Sequence, residues 1–187
     1  MIKNTLIEIA ENFKKLSELS SESISNSANI MIEALKNGNK IMFCGNGGSA
    51  ADSQHLAAEL VGRYRKDRDP IAAIALTTDT SSITAISNDY SYNEIFSRQV
   101  KGLGKEGDIL YAISTSGNSL NIIEGINAAK LMKIKVIGVT GNQIGLMNKM
   151  CDELISVPSN RPDRIQEMHI AVGQIICEKI ENSFLGN

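Results

Sequence analysis

"KIMFCGNGGSAADSQHLAAEL", residues 40 to 60, decides how the chain is read. An apolar run ends in a cluster of glycines, and the glycines open into a stretch with helical spacing, the order of a strand, a tight turn and a crossover helix. Four more short apolar runs follow: "IAAIAL" (71–76), "DILYAIS" (108–114), "KVIGVTG" (135–141) and "ELISVP" (153–158). Helical patterns separate them, which argues for parallel strands joined by crossover helices. The runs are apolar on both faces, as strands covered on two sides must be. The fold class read from this is α/β: a three-layer α/β/α sandwich on a five-stranded parallel sheet.

Two amphipathic helices are expected ahead of the first strand. Ile2, Leu6, Ile9, Phe13 and Leu16 recur at spacings of four and three, and Ile24, Ala28, Met31 and Leu35 resume the pattern after a serine-rich break at 20 to 23. Their apolar seams must pack on the main core, on each other or on another subunit. A last helix starts near Pro162, with Ile165, Met168, Val172 and Ile175 or Ile176 on its apolar face. No linker or internal repeat interrupts the chain, so its 187 residues suit one domain, 1–187, with 1–38 as added helices and 39–187 as the sandwich core.

Composition narrows the function classes. Apolar residues make up 42%, charged residues 21%, and the formal charge is −2, which offers no general attraction to nucleic acid or to an anionic membrane. The longest unbroken apolar run, Ile71 to Leu76, is far too short to span a bilayer, and the N-terminus alternates charge with apolar residues, unlike a signal peptide. A cytoplasmic protein is expected. Cys44, Cys151 and Cys177 are scattered without a CxxC pair, so they read as small core residues rather than as a disulfide framework or a cysteine zinc site.

In open parallel sheets ligands gather beyond the carboxyl ends of the strands. After the first strand comes "GNGGSA", where Gly45, Gly47 and Gly48 permit tight backbone conformations and Ser49 can cap a helix or bond an anion. Steric need alone also produces such turns. After the third strand comes "STSGNS", with hydroxyls at Ser114, Thr115, Ser116 and Ser119. One helix cap needs one hydroxyl and four are present, so a phosphate is the natural guest. Neither loop carries GxxxxGK[ST], and "GNGGSA" fails GxGxxG at Ala50; a phosphorylated sugar suits the hydroxyls better than a nucleotide. His55 and Glu59 stand at i and i+4 on the helix leaving the first loop, where an imidazole and a carboxylate can converge on a metal or a substrate, although such pairs also occur as plain surface pairs. Gln166 and His169 can share a face of the last helix, His169 reading as a hydrogen-bonded histidine at a packing boundary. The charge run "RYRKDRDP", 63 to 70, is a solvated loop unless Arg63 or Arg65 borders an anionic ligand.

Taken together, "CGNGGSAADSQHLAAELVGRY", "TAISNDYSYNEIFSRQV", "AISTSGNSLNI" and "RIQEMHI" resemble the phosphoheptose isomerases of the sugar isomerase (SIS) superfamily, in order and spacing, over essentially the whole chain. The resemblance implies a flavodoxin-like SIS domain that converts D-sedoheptulose 7-phosphate to D-glycero-D-manno-heptose 7-phosphate for bacterial surface polysaccharide, lipopolysaccharide core or capsule. It also implies a homotetramer with active sites at subunit interfaces, no nucleic-acid partner and no membrane. Carried over by motif, Asn46, Gly47, Gly48 and Ser49 line the substrate, Asn88 and Asp89 contact the sugar, and Ser114, Thr115, Ser116 and Ser119 hold the phosphate. His55, Glu59 and Gln166 become zinc ligands, with Glu59 and Gln166 also touching substrate and Glu59 acting as the catalytic base. Family members commonly place a histidine eight residues after the glutamine of "RIQE", where this chain has Gln174. Glutamine can offer a metal its oxygen but cannot shuttle a proton near neutrality.

Two other classes share part of this pattern. A non-catalytic SIS protein, resembling the tetrameric factor that associates with the bacterial replication initiator, also lacks the late histidine but has no carboxylate at the position of Glu59. A sugar-phosphate-sensing regulator would need a DNA-binding domain, for which the N-terminal segment is too short and too weakly basic.

Overall fold

The computed structural model describes residues 1–185. The element order is α1 (Ile2–Leu19), α2 (Ser21–Lys36), β1 (Ile41–Gly45), α3 (Gly48–Val61), β2 (Ala73–Ala75), α4 (Thr80–Asp89), α5 (Ile95–Leu103), β3 (Ile109–Ile113), α6 (Leu120–Leu131), β4 (Lys135–Thr140), β5 (Glu153–Ser156) and α7 (Pro162–Phe184). Short 3-10 turns precede α5 and β5.

All five strands pair in parallel, in the order β2-β1-β3-β4-β5. Side chains alternate across each strand, so the continuous apolar runs feed two separate cores. Ile41 and Phe43 of β1, Ile109, Tyr111 and Ile113 of β3, and Ile137 and Val139 of β4 face α2, α3 and α7. Met42, Cys44, Leu110, Ala112 and Val136 face α5 and α6. The rings of Phe43 and Tyr111 meet on the first side at 5.3 Å and 56°, a tilted contact worth about 1 kcal/mol beyond its area.

Three details differ from the sequence reading. The break between the first two helices is the single residue Ser20, whose hydroxyl donates to the Ser156 carbonyl, so α2 starts earlier than the serine run suggests. The run 71–76 contributes only Ala73–Ala75 as strand, because it lies at the sheet edge; Ile71 and Leu76 still donate to the Leu60 and Phe43 carbonyls. The seams of the N-terminal helices divide their allegiance. Those of α2 and the end of α1 join the core beside α7, while Ile2, Leu6 and Ile7 of α1 stay exposed. The last helix begins at Pro162 as expected, with proline in its first turn.

The two sides are tied at the amino end of the sheet by Asp108. Its carboxylate is fully buried, accepts from the backbone N–H of Lys40 and of Lys105, and meets Lys40 Nζ at 2.5 Å. Asp108→Ala strands both backbone donors and is expected to cost about 1 to 3 kcal/mol per unsatisfied group, read as a lower midpoint in urea unfolding with an unchanged slope.

Candidate active site

The strand order reverses between β1 and β3, since the chain leaves β1 towards β2 and returns to lay β3 on the other side. The loops that follow these two strands therefore diverge and leave a crevice at their carboxyl ends, where such sheets take ligands. The glycine loop after β1 and the hydroxyl loop after β3 are the two that flank it.

The first loop turns at Gly47, with φ 57° and ψ −120°, a conformation that a side chain would strain. Asn46 then reaches across the crevice. Its amide donates to Asn121 Oδ1 at 2.8 Å, Asn121 donates back to Asn46 Oδ1 at 2.8 Å, and the Tyr92 hydroxyl donates to the same oxygen at 3.0 Å. Asn121, buried in the first turn of α6, and Tyr92 escaped the sequence reading. A polar residue among the apolar positions of "NSLNII" was the available signal, since a buried amide demands partners.

On the second loop Ser114 and Ser119 share a hydroxyl–hydroxyl bond of 3.0 Å, and Ser116 Oγ accepts from the Asn118 N–H at 3.2 Å. Thr115 is half-buried and Ser116 exposed. Ser119 takes the N-cap position of α6 without a side-chain cap bond, so its hydroxyl is not committed to capping. Hydroxyls and the positive end of α6 thus share one rim, as an anion requires.

His55 and Glu59 share one face of α3, about 100° round the helix from the buried Leu56 and Leu60. His55 Nε2 lies 2.9 Å from Glu59 Oε1, and the Gln174 amide nitrogen lies 3.2 Å from the same ring nitrogen. Gln174 gets there because its neighbour Gly173 has no side chain: a Cβ at that position would stand 2.5 Å from Leu56 Cδ1, so α7 can seat closely on α3. His55 Nε2 has room for one proton. Protonated, it donates to Glu59; unprotonated, it accepts from Gln174. Gln166, two turns earlier on α7, lies against the first loop, its carboxamide carbon 2.9 Å from where a Cβ on Gly48 would sit. Among the described residues no hydrogen bond joins Gln166 to His55 or Glu59. Asn88 and Asp89, at the end of α4, bond to each other at 2.8 Å and are exposed.

No group of three His, Cys, Asp or Glu side chains able to hold a metal occurs among the described residues. His55 and Glu59 offer one imidazole nitrogen and one carboxylate, and any further protein ligand has to be an amide oxygen, with Gln174 already alongside. An imidazole, a carboxylate and amide oxygens form a donor set that zinc can use.

Behind the crevice lies His169, 2% exposed, with neither ring nitrogen in a hydrogen bond among the described residues. The sequence reading expected a hydrogen-bonded histidine at a packing boundary; the ring is instead enclosed and unbonded, because α7 carries it inside the fold. The Thr140 carbonyl lies near enough to pull its pKa up slightly, yet burial dominates and lowers it from 6.5 to about 4. Asp52, one turn before His55, is pushed up to about 6 by burial, with His55 pulling the other way. In the basic loop Arg63 is exposed, Arg65 pairs with Glu178 at 2.5 Å, and Arg68 is drawn inside.

A crevice at a topological switch point, rimmed by hydroxyls, with a carboxylate–imidazole pair on the helix that leaves its first loop, defines the class: an α/β domain suited to small phosphorylated ligands. The SIS domain model matches residues 6–141. The chain is 51% identical over 185 residues to the phosphoheptose isomerase of Akkermansia muciniphila, covering 99% of this chain and 97% of that one. It is 52% identical to that of Aliarcobacter butzleri over 92% and 91%. The solved structure of the Neisseria gonorrhoeae phosphoheptose isomerase superposes with a TM-score of 0.92 at 42% identity, covering 97% of each chain. The chain belongs to the SIS domain family and, within it, to the phosphoheptose isomerases.

The buried His169 gives the domain a signed pH dependence. Between pH of about 6.5 and about 4 the unfolded chain binds a proton on this ring that the folded chain refuses, so stability falls as pH falls through that window. Asp52 acts oppositely, the folded chain holding the extra proton between about 6 and 3.8. In urea unfolding, His169→Leu should lose about 2 kcal/mol less than the unaltered chain between pH of about 7 and about 5.

Proposed function

We propose that the chain is an aldose–ketose isomerase that converts D-sedoheptulose 7-phosphate to D-glycero-D-manno-heptose 7-phosphate, for the heptoses of a bacterial lipopolysaccharide core or capsule. The observation that carries the reading is Glu59. This chain of the phosphoheptose isomerase family keeps a carboxylate on α3, 2.9 Å from His55, on the helix that leaves the loop facing the hydroxyl rim.

The residues divide the work by chemistry. Ser114, Thr115, Ser116, Ser119 and the amino end of α6 hold the phosphate, so that binding energy from the far end of the sugar positions its reacting end. Asn46, held by Asn121 and Tyr92, and the Gly47–Gly48–Ser49 turn line the sugar, with Asn88 and Asp89 contributing from the end of α4. Glu59 takes a proton from one carbon and returns it to its neighbour, a transfer one carboxylate can perform alone if it is within reach of both. The neutral, enclosed His169 is out of the way of oxygen protonation, which falls to water or Asp89. Zinc, held by His55, Glu59 and the amide oxygens of Gln166 and Gln174, would supply Lewis-acid polarisation of the carbonyl oxygen.

The assembly is proposed as a cytoplasmic homotetramer. Its support is the exposed apolar face of α1 and the apolar groove of about 370 Å³ between α1, α2 and α7, lined by Phe13, Leu16, Ile24 and Ile175. No helix among the described residues is long and apolar enough to cross a membrane.

Following D-sedoheptulose 7-phosphate by NMR with the purified, zinc-supplied chain tests the activity. Glu59→Gln should cut formation of the aldose to a small residual rate while leaving sugar phosphate binding by calorimetry within a small factor; full activity in that variant would remove Glu59 as the base. Gln174→His should tighten zinc binding, read by competition with a chromogenic chelator, and an unchanged affinity would show that Gln174 does not reach the metal. Binding of the ketose phosphate without turnover in the unaltered chain would favour the non-catalytic SIS reading.

A further inference from the structure

The end of α3 that carries Glu59 is held by two buried charges with no place in the chemistry above. Arg68 folds back from the basic loop, its side chain 4% exposed. Its Nη2 donates to the Glu59 carbonyl at 2.7 Å, and its Nη1 donates to the carbonyls of Leu60 at 2.8 Å, Asp69 at 3.0 Å and Gly62 at 3.2 Å. A guanidinium here satisfies carbonyls that the last turn of a helix leaves open and opposes the negative end of its dipole.

Glu181 of α7 completes the arrangement. It is 2% exposed, and its carboxylate accepts from three successive backbone N–H groups, those of Tyr64, Arg65 and Lys66, at 3.0 to 3.2 Å, with Arg68 Nε 3.5 Å away. Burial raises its pKa, but the three N–H groups and Arg68 outweigh burial and hold the carboxyl below its ordinary range. A helix end could be capped by water, and a surface loop could be left to solvent. Neither explains why two charged side chains are taken out of water to secure one short stretch, the end of α3 and the loop after it from 59 to 69.

The face of α7 explains what is being aligned. Gln174, Cys177, Glu178 and Glu181 recur at helical spacing, so they line one stripe. Gln174 meets His55, Glu178 meets Arg65 and Glu181 meets the loop. Cys177 lies between, its thiol pushed up to about 12 by burial and by nearby Glu59 and Glu181, with Arg68 opposing. The same stripe that seats α3 sideways thus fixes its end through Glu181 and Arg68.

We propose that Glu181 and Arg68 are positioning residues for isomerisation, a buried latch that sets where the Glu59 carboxylate stands relative to the bound sugar. The inference rests on Glu59 being the base. The latch touches neither the hydroxyl loop nor the first loop, so it acts on the reacting end of the substrate and leaves phosphate binding alone. Its signature is a split between kcat and KM that loss of folded protein would not produce, since partial unfolding lowers the active concentration without moving substrate affinity or the rate per folded molecule.

The test uses the full chain loaded with zinc and D-sedoheptulose 7-phosphate, with active-site concentration taken from calorimetric titration of the sugar phosphate. Glu181→Gln keeps the size but weakens acceptance from the three N–H groups; kcat per binding site should fall about 100-fold, as roughly 1 Å of misplacement brings, with KM within about threefold. Arg68→Lys, which keeps the charge but loses the fork to four carbonyls, should show the same split and serves if Glu181→Gln does not fold. In the Glu59→Gln background, either change should lower the residual rate no further. Wild-type kcat per site in both single variants, or equal losses with and without Glu59, would overturn the latch. A fully active Glu59→Gln enzyme would instead overturn the base on which it rests.

Discussion

Everything in this protein hangs on the reversal of strand order at β1 and β3. A parallel sheet buried on both faces has no surface of its own to offer a ligand, so the only open ground lies where consecutive connections depart to opposite sides. Because β1 hands its chain to α3 and β3 hands its chain to α6, two helix N-termini and two polar loops end up on one crevice. Neutral hydroxyls and backbone donors suffice there for an anion, which is consistent with a chain of small net charge.

The crevice needs depth as well as an opening, and α7 supplies it. This helix is long enough to border the first loop through Gln166, to reach His55 through Gln174, and to hold the basic loop through Glu181. Its close seat on Leu56 at Gly173 makes that reach possible. A carboxylate that must address two adjacent carbons has little tolerance for displacement, and the chain spends buried polar groups on fixing it. Asp108 does the comparable structural work at the opposite end of the sheet, where it gathers two backbone donors and a lysine.

The sandwich was legible because each strand reads as a short apolar run bounded by turn residues, and because helix and strand periods differ. The boundary at Ser20 and the short β2 were not, since helix continuation and edge position depend on neighbours far along the chain. In the site, His55 and Glu59 were visible as an i, i+4 pair, and the serines stood out by being more than a cap requires. Asn121, Tyr92 and Glu181 were not visible as a group. Their partners lie 75, 46 and 117 positions away, beyond any local pattern.

By itself, then, the sequence determined the layers, the parallel sheet, the two loops that could take a phosphate and the helix face that could carry a base, because all of these follow from local periodicity and residue chemistry. Only the tertiary structure decided that Gln174 bonds His55, that His169 is enclosed and neutral, and that Arg68 leaves the solvated loop to grip the end of α3. Those outcomes turn on which groups lose their water when α7 closes over α3, and desolvation is a property of the packed whole rather than of any stretch of chain.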